Sequence, residues 1–418
     1  MGYGHIALRI FAPVVNLFTG AVNLVIRRDR KVLLFGSWMG DRYADNSRFL
    51  YQYLQENKEL YDIDKLVWVT RSDEIYDELK GRGCEVYMMN SLKSLYYHFK
   101  AGVHVVCNMS HPVKGYKGDI MGQFSGKAVK INMWHGIPLK AGKSTGENVK
   151  KSGIKGRIKH FLRNNRLFNA LFTPGHWDKA YYFSTGRECT RLLSMFCGVP
   201  EEQFIECGYP RDIELSNPLD GERAVTEKLK EHDRVILYVP TFREGGEVPH
   251  PLSDASVREF IEKNGCLWVE KPHSAAKDAV KLEGLGEHVL YLDGSFDINT
   301  VLPYISVLLT DYSSVCFDAF AYDKPVLYYA PDYKHYATKE RGFITDYKGM
   351  VRGYGARDTE GLVAKLARFF DEESYRKLAV SKAAREKKRT MEAQPDNFEE
   401  LMDKLNERVM IAERKASR

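Results

Sequence analysis

The sequence predicts an α/β protein with two doubly wound domains and a central cleft between them. From Lys31 onward, short apolar runs alternate with amphipathic helical segments of about ten residues, which is typical of parallel βαβ units. The apolar runs are continuous, as expected for strands that helices cover on both faces of a sheet. The same alternation starts again after a linker-like stretch at 215–222, and 418 residues suit two domains of roughly 100–200 residues each.

The composition indicates a folded protein of a reducing compartment. Hydrophobic residues make up 44% of the chain and charged residues 28%, and 25 tyrosines and 21 phenylalanines supply a core, which excludes wholesale disorder. The net charge of +6 is mild for this length and does not by itself indicate nucleic-acid binding. The seven cysteines are scattered without a CxxC pair, which argues against both a disulfide framework and a structural zinc site.

Residues 1–30 are predicted to form an amphipathic helix that lies in the plane of a membrane surface. Residues 6–26 are mostly apolar, and no acidic residue occurs before Asp29. Polar or small residues recur every three or four positions in one narrow stripe: His5, Arg9, Ala12, Asn16, Thr19, Asn23, Arg27 and Arg30. Phe11 and Phe18 lie on the wide apolar side and are predicted membrane contacts.

Two other interpretations of this segment stay open. A membrane-spanning helix needs about 20 apolar residues, and this stretch is barely long enough and is interrupted by polar residues and Pro13. A helix packed on the protein core would show the same period. A cleaved signal peptide is disfavoured, because the basic residues follow the apolar stretch instead of preceding it.

The remaining chain divides into two Rossmann-like domains and a tail. Residues 31–205 form the first domain, with predicted strands at 32–37, 66–70, 85–89, 103–109, 128–136 and 170–175 and helices at 45–56, 72–80 and 91–99. Residues 206–385 form the second, with predicted strand segments at 204–212, 234–244, 266–273, 288–294, 307–314 and 325–332. Residues 386–418 are predicted to form a C-terminal helical tail.

One segment of the first domain is strongly basic. Nine lysines or arginines and a single acid, Glu147, lie between residues 140 and 166. Nucleic-acid binders have such segments, and so do surfaces that meet anionic lipid or helices that are merely solvated. The apolar N-terminal segment favours lipid, so no nucleic-acid partner is predicted. The membrane contacts expected here are Lys150, Lys151, Lys155 and Arg157.

Familiar catalytic and metal motifs are absent from the sequence. The chain has no GxxxxGK[ST] phosphate loop, no HExxH zinc motif and no GxSxG nucleophile motif. Asp62 and Asp64 precede a predicted strand, at the wrong end of the sheet for a ligand, and are interpreted as a surface turn. No cofactor and no metal ligand is therefore predicted, and a metal requirement stays open.

Polar residues instead follow the predicted strands, at the edge where open α/β sheets bind ligands. They are His135, Arg211, Thr241, Arg243, Lys271, His273, Thr310, Asp311, Ser313 and Ser314. Each has a structural alternative, since a strand-end histidine is commonly a hydrogen bonder and Ser313 or Ser314 suits a helix N-cap. Several such groups facing one cleft are more than packing requires.

The chemistry of this set suits a diphosphate. Hydroxyls at a helix N-terminus attract anions, and the basic side chains can add charge-assisted hydrogen bonds. His135 comes from the other domain, and its ordinary pKa near 6.5 suits a general base. The arrangement fits transfer of a phosphoryl-linked group from a nucleotide diphosphate donor to a hydroxyl.

At these residues the sequence closely resembles the CDP-glycerol glycerophosphotransferase family, the teichoic acid primases and polymerases. The matching stretches follow one another in the same order as in the family, over roughly residues 32–350. The matching stretches are Phe35-Gly36, 43–46, NMWHGIPLK (132–140), GYPRD (208–212), LYVPTFRE (237–244), KPH (271–273), TDYSSVCFDAFAYDKPVLYY (310–329) and RGFITDY (341–347). The family is similar in architecture to the two-domain GT-B glycosyltransferases, which agrees with the two half-sheets above.

The resemblance implies roles for these residues. His135 resembles the base that deprotonates the acceptor hydroxyl, and His273 resembles a second essential histidine that binds the donor pyrophosphate and aids departure of CMP. Arg243 and the serine pair match phosphate-contacting positions, and Arg211 matches a GxPR motif at the cleft. Asp318 lies in a matching segment and is included among the substrate-binding residues. One departure is that 350–353 replaces a proline-glycine common after the DY block.

The sequence is therefore interpreted as a peripheral, monotopic enzyme at the cytoplasmic face of the cell membrane. It is expected to move glycerol phosphate from CDP-glycerol to an undecaprenyl-type lipid-linked glycan, as a primase or short polymerase, in contact with an anionic membrane surface. A homo-oligomer is possible. The alternatives are a transferase that uses CDP-ribitol or a nucleotide sugar, and a non-catalytic member that binds lipid or partners.

Overall fold

The computed structural model describes residues 4–89, 91–108, 124–141, 180–213, 220–241, 243, 248–272, 286–294, 296–340 and 342–410, and two single residues, 154 and 161. These residues divide into two compact units. The first lies within Met1–His135, Ser144–Ser216 and Ala393–Arg418, and the second within Gly136–Lys143 and Asn217–Glu392. The predicted α/β class with two parallel sheets is confirmed.

The first unit is built on a seven-stranded, fully parallel sheet. Its strands are β1 (Asp29–Phe35), β2 (Lys65–Thr70), β3 (Val86–Met88), β4 (Ala101–Val106), β5 (Val129–Asn132), β6 (Ala180–Ser184) and β7 (Phe204–Glu206). They lie in the order β3-β2-β1-β4-β5-β6-β7, so the strand order reverses between β1 and β4. That reversal leaves a crevice at the carboxyl ends of the strands, where such sheets bind ligands.

Six helices of this unit lie within the described residues. They are α1 (Gly4–Val25), α2 (Asp45–Glu56), α3 (Asp73–Gly81), α4 (Leu92–Lys100), α5 (Arg187–Cys197) and α12 (Phe398–Arg408). Strand β4 is buried throughout, β2 in its last five residues and β1 in its last four, which is why these parts appear in the sequence as continuous apolar runs. In β4, a Cβ on Gly102 would lie 2.6 Å from the carbonyl oxygen of Asp29, so only glycine fits beside β1.

The second unit repeats the plan with six parallel strands. They are β8 (Val235–Val239), β9 (Leu267–Glu270), β10 (Val289–Tyr291), β11 (Val307–Thr310), β12 (Val326–Tyr329) and β13 (Gly355–Ala356), in the order β10-β9-β8-β11-β12-β13. Its described α-helices of five or more residues are α6 (Asp220–Lys230), α7 (Ala255–Lys263), α8 (Val315–Ala321), α9 (Tyr347–Val351), α10 (Thr359–Asp371) and α11 (Glu373–Thr390). The order again reverses at the centre, between β8 and β11.

The C-terminal residues, predicted as a helical tail, contain α12 and contact the first unit. The backbone N–H of Ala393 donates to the carbonyl of Thr185 at 2.9 Å, and the amide of Gln394 exchanges two hydrogen bonds with the backbone of Tyr209. Phe398 of α12 stacks on Tyr53 of α2 with ring centroids 4.5 Å apart. The chain therefore returns to complete the first unit, which local sequence patterns cannot show.

Helix α1 contacts the rest of the first unit through its polar stripe. Thr19 and Asn23 are buried, and Asn23 Nδ2 donates to the carbonyl of Gly126 at 3.2 Å. Arg28, just after the helix, donates to the carbonyls of Gly126, His98, Ala101 and Phe124 at 2.7–2.8 Å. Burial lowers the pKa of Arg28 to about 10. These contacts fix the C-terminal half of α1 on the sheet.

The apolar side of α1 remains uncovered within the described chain. Five large apolar side chains there are 57–83% exposed, namely Val14, Leu17, Phe18, Leu24 and Val25. Among the described residues, no helix combines the length and the hydropathy that a membrane crossing would need. The side chain of Phe11 and the residues Lys150, Lys151, Lys155 and Arg157 lie outside the described part of the chain.

Candidate active site

His135 lies at the carboxyl edge of the first sheet, three residues after β5. Its ring nitrogen Nδ1 is 3.3 Å from the carbonyl oxygen of Cys107, which follows β4. A carbonyl can only accept, so this contact requires a proton on Nδ1 and leaves the lone pair on Nε2. In that tautomer the neutral imidazole can take up a proton at Nε2.

A buried ion pair supports the backbone of His135. Arg211 Nη1 lies 2.7 Å from Asp45 Oδ1, with both side chains almost fully buried, and the same nitrogen donates to the carbonyl of His135 at 3.2 Å. The backbone N–H of Arg211 donates to Asn46 Oδ1 at 3.2 Å. Because α2 supplies Asp45 and Asn46, the pair joins the segment after β7 to the start of α2. Arg211 therefore acts here on main-chain and carboxylate groups of its own unit.

The surroundings keep the His135 imidazole neutral. Burial lowers its pKa below the ordinary value, and the nearby charge of Arg211 lowers it further. The charge of Asp45 and the contact with the Cys107 carbonyl oppose this shift without reversing it. At neutral pH the ring is consequently in the form that can accept a proton.

Backbone strain is concentrated around this histidine. Six described non-glycine residues have positive φ, and four of them lie here: Trp38 at 47°, Met39 at 61°, Asp45 at 66° and Trp134 at 56°. Such conformations cost on the order of 1–3 kcal/mol each and cluster at functional sites. The rings of Trp38 and Trp134 pack on the imidazole, with centroids 5.1 and 4.6 Å away. The strained backbone thus places two indoles that fix the ring of His135.

In the second unit, Arg243 joins the ends of β8 and β11. Its Nη2 lies 2.7 Å from Asp311 Oδ2, its Nε lies 2.7 Å from Asp332 Oδ2, and its Nη1 donates to the carbonyl of Thr241 at 2.6 Å. Asp311 also accepts the backbone N–H groups of Thr241 and Tyr312. The guanidinium carbon lies 4.9 Å from the ring centroid of Tyr312. Most guanidinium donors of Arg243 are therefore engaged by the protein itself.

The other strand-end residues of this unit keep polar atoms at the same edge. Thr241 Oγ1 is buried without a hydrogen-bond partner in the described chain, whereas Thr310 Oγ1 donates to the carbonyl of Val239 at 2.6 Å. Lys271 Nζ donates to the carbonyl of Gly294 at 3.1 Å. Ser313 Oγ accepts the backbone N–H of Val315 at 3.4 Å, and Ser314 begins α8 without a side-chain cap. Asp318 is buried in the first turn of α8, and His273 lies outside the described residues.

Two sequence blocks meet inside the second unit. The chain enters this unit directly after His135, and residues 139–141 pair with residues 342–344. Ala141 N donates to the carbonyl of Gly342, and Ile344 N donates to the carbonyl of Leu139, both at 3.1 Å. The PLK stretch after His135 is thereby fixed to the stretch RGFITDY.

Glu270, the residue before the KPH stretch, was not among the predicted site residues. It is 6% exposed, accepts a hydrogen bond from Trp268 Nε1 at 3.2 Å, and lies 3.9 Å from Nδ1 of His250. Burial raises the pKa of Glu270 to about 7, although the hydrogen bond from Trp268 opposes the shift. An acid that ends an otherwise apolar strand is the signal that could have identified it. Asp45 was likewise inside a matching stretch but received no role.

The described residues contain no cluster of three or more His, Cys, Asp or Glu side chains that could hold a metal ion. All seven cysteines are free thiols.

Two parallel sheets in doubly wound order, each with polar groups after the carboxyl ends of its strands, define an α/β protein of the doubly wound, ligand-binding class. Residues 19–392 match the sequence model of a family described as CDP-Glycerol:Poly(glycerophosphate) glycerophosphotransferase, and the chain belongs to this family. The predicted identity as a CDP-glycerol glycerophosphotransferase of teichoic acid synthesis is thus confirmed.

Individual relatives and structures agree with this assignment. A teichoic acid poly(glycerol phosphate) polymerase of Bacillus spizizenii is 25% identical over 88% of this chain and 89% of its own length. A teichoic acid glycerol-phosphate transferase of Staphylococcus aureus is 24% identical over 81% of this chain and 84% of its own. The solved structure of the wall teichoic acid polymerase TagF superposes with a TM-score of 0.69 at 18% identity and covers 98% of both chains, so it has the same fold.

Proposed function

We propose that this enzyme transfers glycerol phosphate from CDP-glycerol to a hydroxyl group of a lipid-linked glycan, with His135 as the general base. Nε2 of His135 takes the proton from the acceptor hydroxyl, whose oxygen attacks the phosphorus that carries glycerol. The new oxygen–phosphorus bond replaces the bond from that phosphorus to the bridging oxygen, and CMP leaves. The observation that carries this proposal is a neutral imidazole at the sheet edge, with its Nε2 free to take up a proton.

The second unit is proposed to bind the donor diphosphate. The hydroxyl groups at the switch point between β8 and β11 come from Thr241, Thr310, Ser313 and Ser314. Lys271 adds an ammonium group after the neighbouring strand β9. In this scheme Arg243 shapes the site through Asp311 and Asp332 and offers its remaining donor to a phosphate. Asp318 belongs to the same edge, and His273 is proposed to assist departure of CMP, on the basis of the family resemblance.

A donor panel tests this function. The full chain is incubated with CDP-glycerol, CDP-ribitol or a nucleotide sugar, each with a lipid-linked disaccharide acceptor, and both CMP release and acceptor mass are measured. We expect CMP from CDP-glycerol in equal amount to the glycerol phosphate units added. A preference for CDP-ribitol would replace the donor assignment, and no turnover of any donor would favour a non-catalytic binding protein.

The enzyme is further proposed to lie on an anionic membrane surface through α1. The polar stripe of α1 is occupied by protein contacts, and the exposed apolar side presents Leu17, Phe18 and Leu24 away from them. Burial of apolar side chains at the headgroup boundary is what holds such helices on a bilayer. In this scheme the enzyme and the lipid end of its acceptor share one membrane surface.

Replacing Leu17, Phe18 and Leu24 with serine should weaken binding to vesicles that contain anionic lipid by about tenfold or more, because each side chain contributes roughly 1.5–3 kcal/mol when buried. Flotation of the full chain with vesicles measures this. Truncation of residues 1–28 is a poorer test, since it also removes the four hydrogen bonds of Arg28. The matched control replaces two exposed leucines elsewhere, Leu92 and Leu378. Equal flotation of both variants would refute the assignment of α1.

A further inference from the structure

A cavity of about 380 Å³ opens at the carboxyl ends of β12 and β13 in the second unit. Tyr328 and Ala330 of the β12 side and Gly355 of β13 line it. Tyr333 and Tyr347 also line it, with ring centroids 5.7 Å apart and ring planes 11° from parallel. Such apolar clefts with a few polar groups are typical of small-molecule sites, and tyrosine rings offer both an apolar face and a hydroxyl.

Three cations surround this cavity. Lys348, Arg352 and Arg357 line it with exposed side chains, and none of them forms an ion pair with a described residue. The acidic residues next to them in sequence, Asp346 and Asp358, do not line the cavity and accept the backbone N–H groups of Gly349 and Gly361. The lining therefore carries three cations and no carboxylate, which indicates an anionic ligand.

The backbone that presents Arg352 is held in place. Lys382 Nζ donates to the carbonyls of Gly349, Met350 and Arg352 at the C-terminal end of α9. Tyr375 Oη and Lys365 Nζ both donate to the carbonyl of Gly353 at 2.8 Å. A site whose backbone is already ordered pays less conformational entropy when a ligand binds. Val351 and Arg352 thus line the cavity from a backbone that is already ordered.

The cavity adjoins the proposed donor site without being part of it. The hydroxyl of Tyr347 donates to the carbonyl of Asp311 at 3.0 Å, so one tyrosine belongs to both. The residues proposed to contact the donor diphosphate do not line the cavity. The segment 350–353, which supplies Arg352, is also where the chain departs from its family's proline-glycine pattern.

We propose that this cavity binds a phosphodiester-linked glycerol chain, with glycerol carbons against the half-buried ring of Tyr333 and successive phosphates near Lys348, Arg352 and Arg357. The inference rests on the proposed function, since an enzyme that transfers glycerol phosphate produces this chemistry. A tyrosine ring that Tyr347 stacks behind suits the carbon backbone of a polyol, and three cations suit a chain that carries one charge per unit. A phosphatidylglycerol headgroup has the same glycerol phosphodiester, but we assign the site to the polymer.

The test compares the full chain with the variant Arg352→Ala/Arg357→Ala and the control Lys263→Ala/Lys388→Ala, which removes two exposed cations of the same unit. The probe is a soluble oligo(glycerol phosphate) of about eight units without a lipid, and its affinity is measured by calorimetry at low salt. We expect at least tenfold weaker binding for the cavity variant and less than twofold change for the control. Melting temperatures confirm that both variants are folded.

Two further measurements distinguish a failure of this inference from a failure of the proposed function. Binding of CDP-glycerol, and CMP release with a minimal acceptor, should be unchanged within about twofold in the cavity variant. Binding to phosphatidylglycerol vesicles should also be unchanged. Equal loss of oligomer affinity in the control, no loss in either variant, a loss confined to vesicles, or a loss of CDP-glycerol affinity would each overturn the proposal. If the proposed function itself is wrong, the unaltered chain will release no CMP from CDP-glycerol.

Discussion

Replacing His135 with alanine is expected to lower turnover of CDP-glycerol by on the order of 100- to 10,000-fold, the usual contribution of a general base. The affinity for CDP-glycerol should stay near that of the unaltered enzyme, because His135 lies in the first unit and the proposed diphosphate contacts lie in the second. Only the carbonyl of His135 bonds to Arg211, so the alanine variant keeps that hydrogen bond. Steady-state rates and donor titration measure the two quantities separately.

A matched control is available in the second unit. His288 also places Nδ1 near a cysteine carbonyl, that of Cys266 at 3.2 Å, but it precedes β10 and so lies away from the carboxyl edge. His288→Ala should therefore retain turnover within a few fold. If His135→Ala turns over normally, or loses chiefly donor affinity, His135 is a binding or structural residue and the base lies elsewhere.

Replacing Arg243 with alanine is expected to destabilise the second unit by about 3–5 kcal/mol. The change leaves Asp311 and Asp332 without the cation between them, and the Arg243–Asp311 pair is almost completely buried. For a unit of roughly 150–250 residues this corresponds to a lower Tm on the order of 10 °C. Donor binding should weaken as well, because Asp311 also holds the backbone of Thr241.

Arg258→Ala is the control for that experiment. Arg258 donates to the carbonyl of Leu252 at 2.6 Å and forms no ion pair with a described carboxylate, so its removal should cost about 1 kcal/mol. Thermal unfolding followed by circular dichroism compares the two variants. Equal, small shifts in Tm would show that the carboxylates around Arg243 do not depend on it. In that case phosphate binding, and not stabilisation of the fold, would be the main role of Arg243.

The sheets could be predicted from sequence because their strands are continuous apolar runs. Strands β8, β9, β11 and β12 fall inside the predicted segments, and the helices at 45–56 and 73–81 lie within one residue of their predicted ends. The strand Ala180–Ser184 was not predicted, because the apolar run at 170–175, which lies outside the described residues, gave a stronger signal. Gly355–Ala356 is too short to produce a pattern.

The edge residues of the site could also be predicted, but their partners could not. Polar residues after apolar strands are visible locally, which is why His135, Thr241 and Asp311 were identified. The pair Arg211–Asp45 joins residues 166 positions apart, and Arg243 reaches Asp332 across 89. Pairings of that kind depend on strand order, which no local period encodes. Arg243 was therefore predicted to contact phosphate alone, and its carboxylate partners were not predicted.

The pH dependence of kcat/KM for CDP-glycerol and acceptor tests the central assignment most directly, since it reports the ionisation of the free enzyme. The active form of His135 is neutral, so activity falls as pH drops through its pKa. Burial and Arg211 lower that pKa, so we expect the acid limb below pH 6.5. The limb should persist in Glu270→Gln, which removes the carboxyl whose pKa is about 7, and should vanish from the residual activity of His135→Ala. An acid limb near pH 7 that disappears with Glu270→Gln, or one that survives in His135→Ala, would contradict the account.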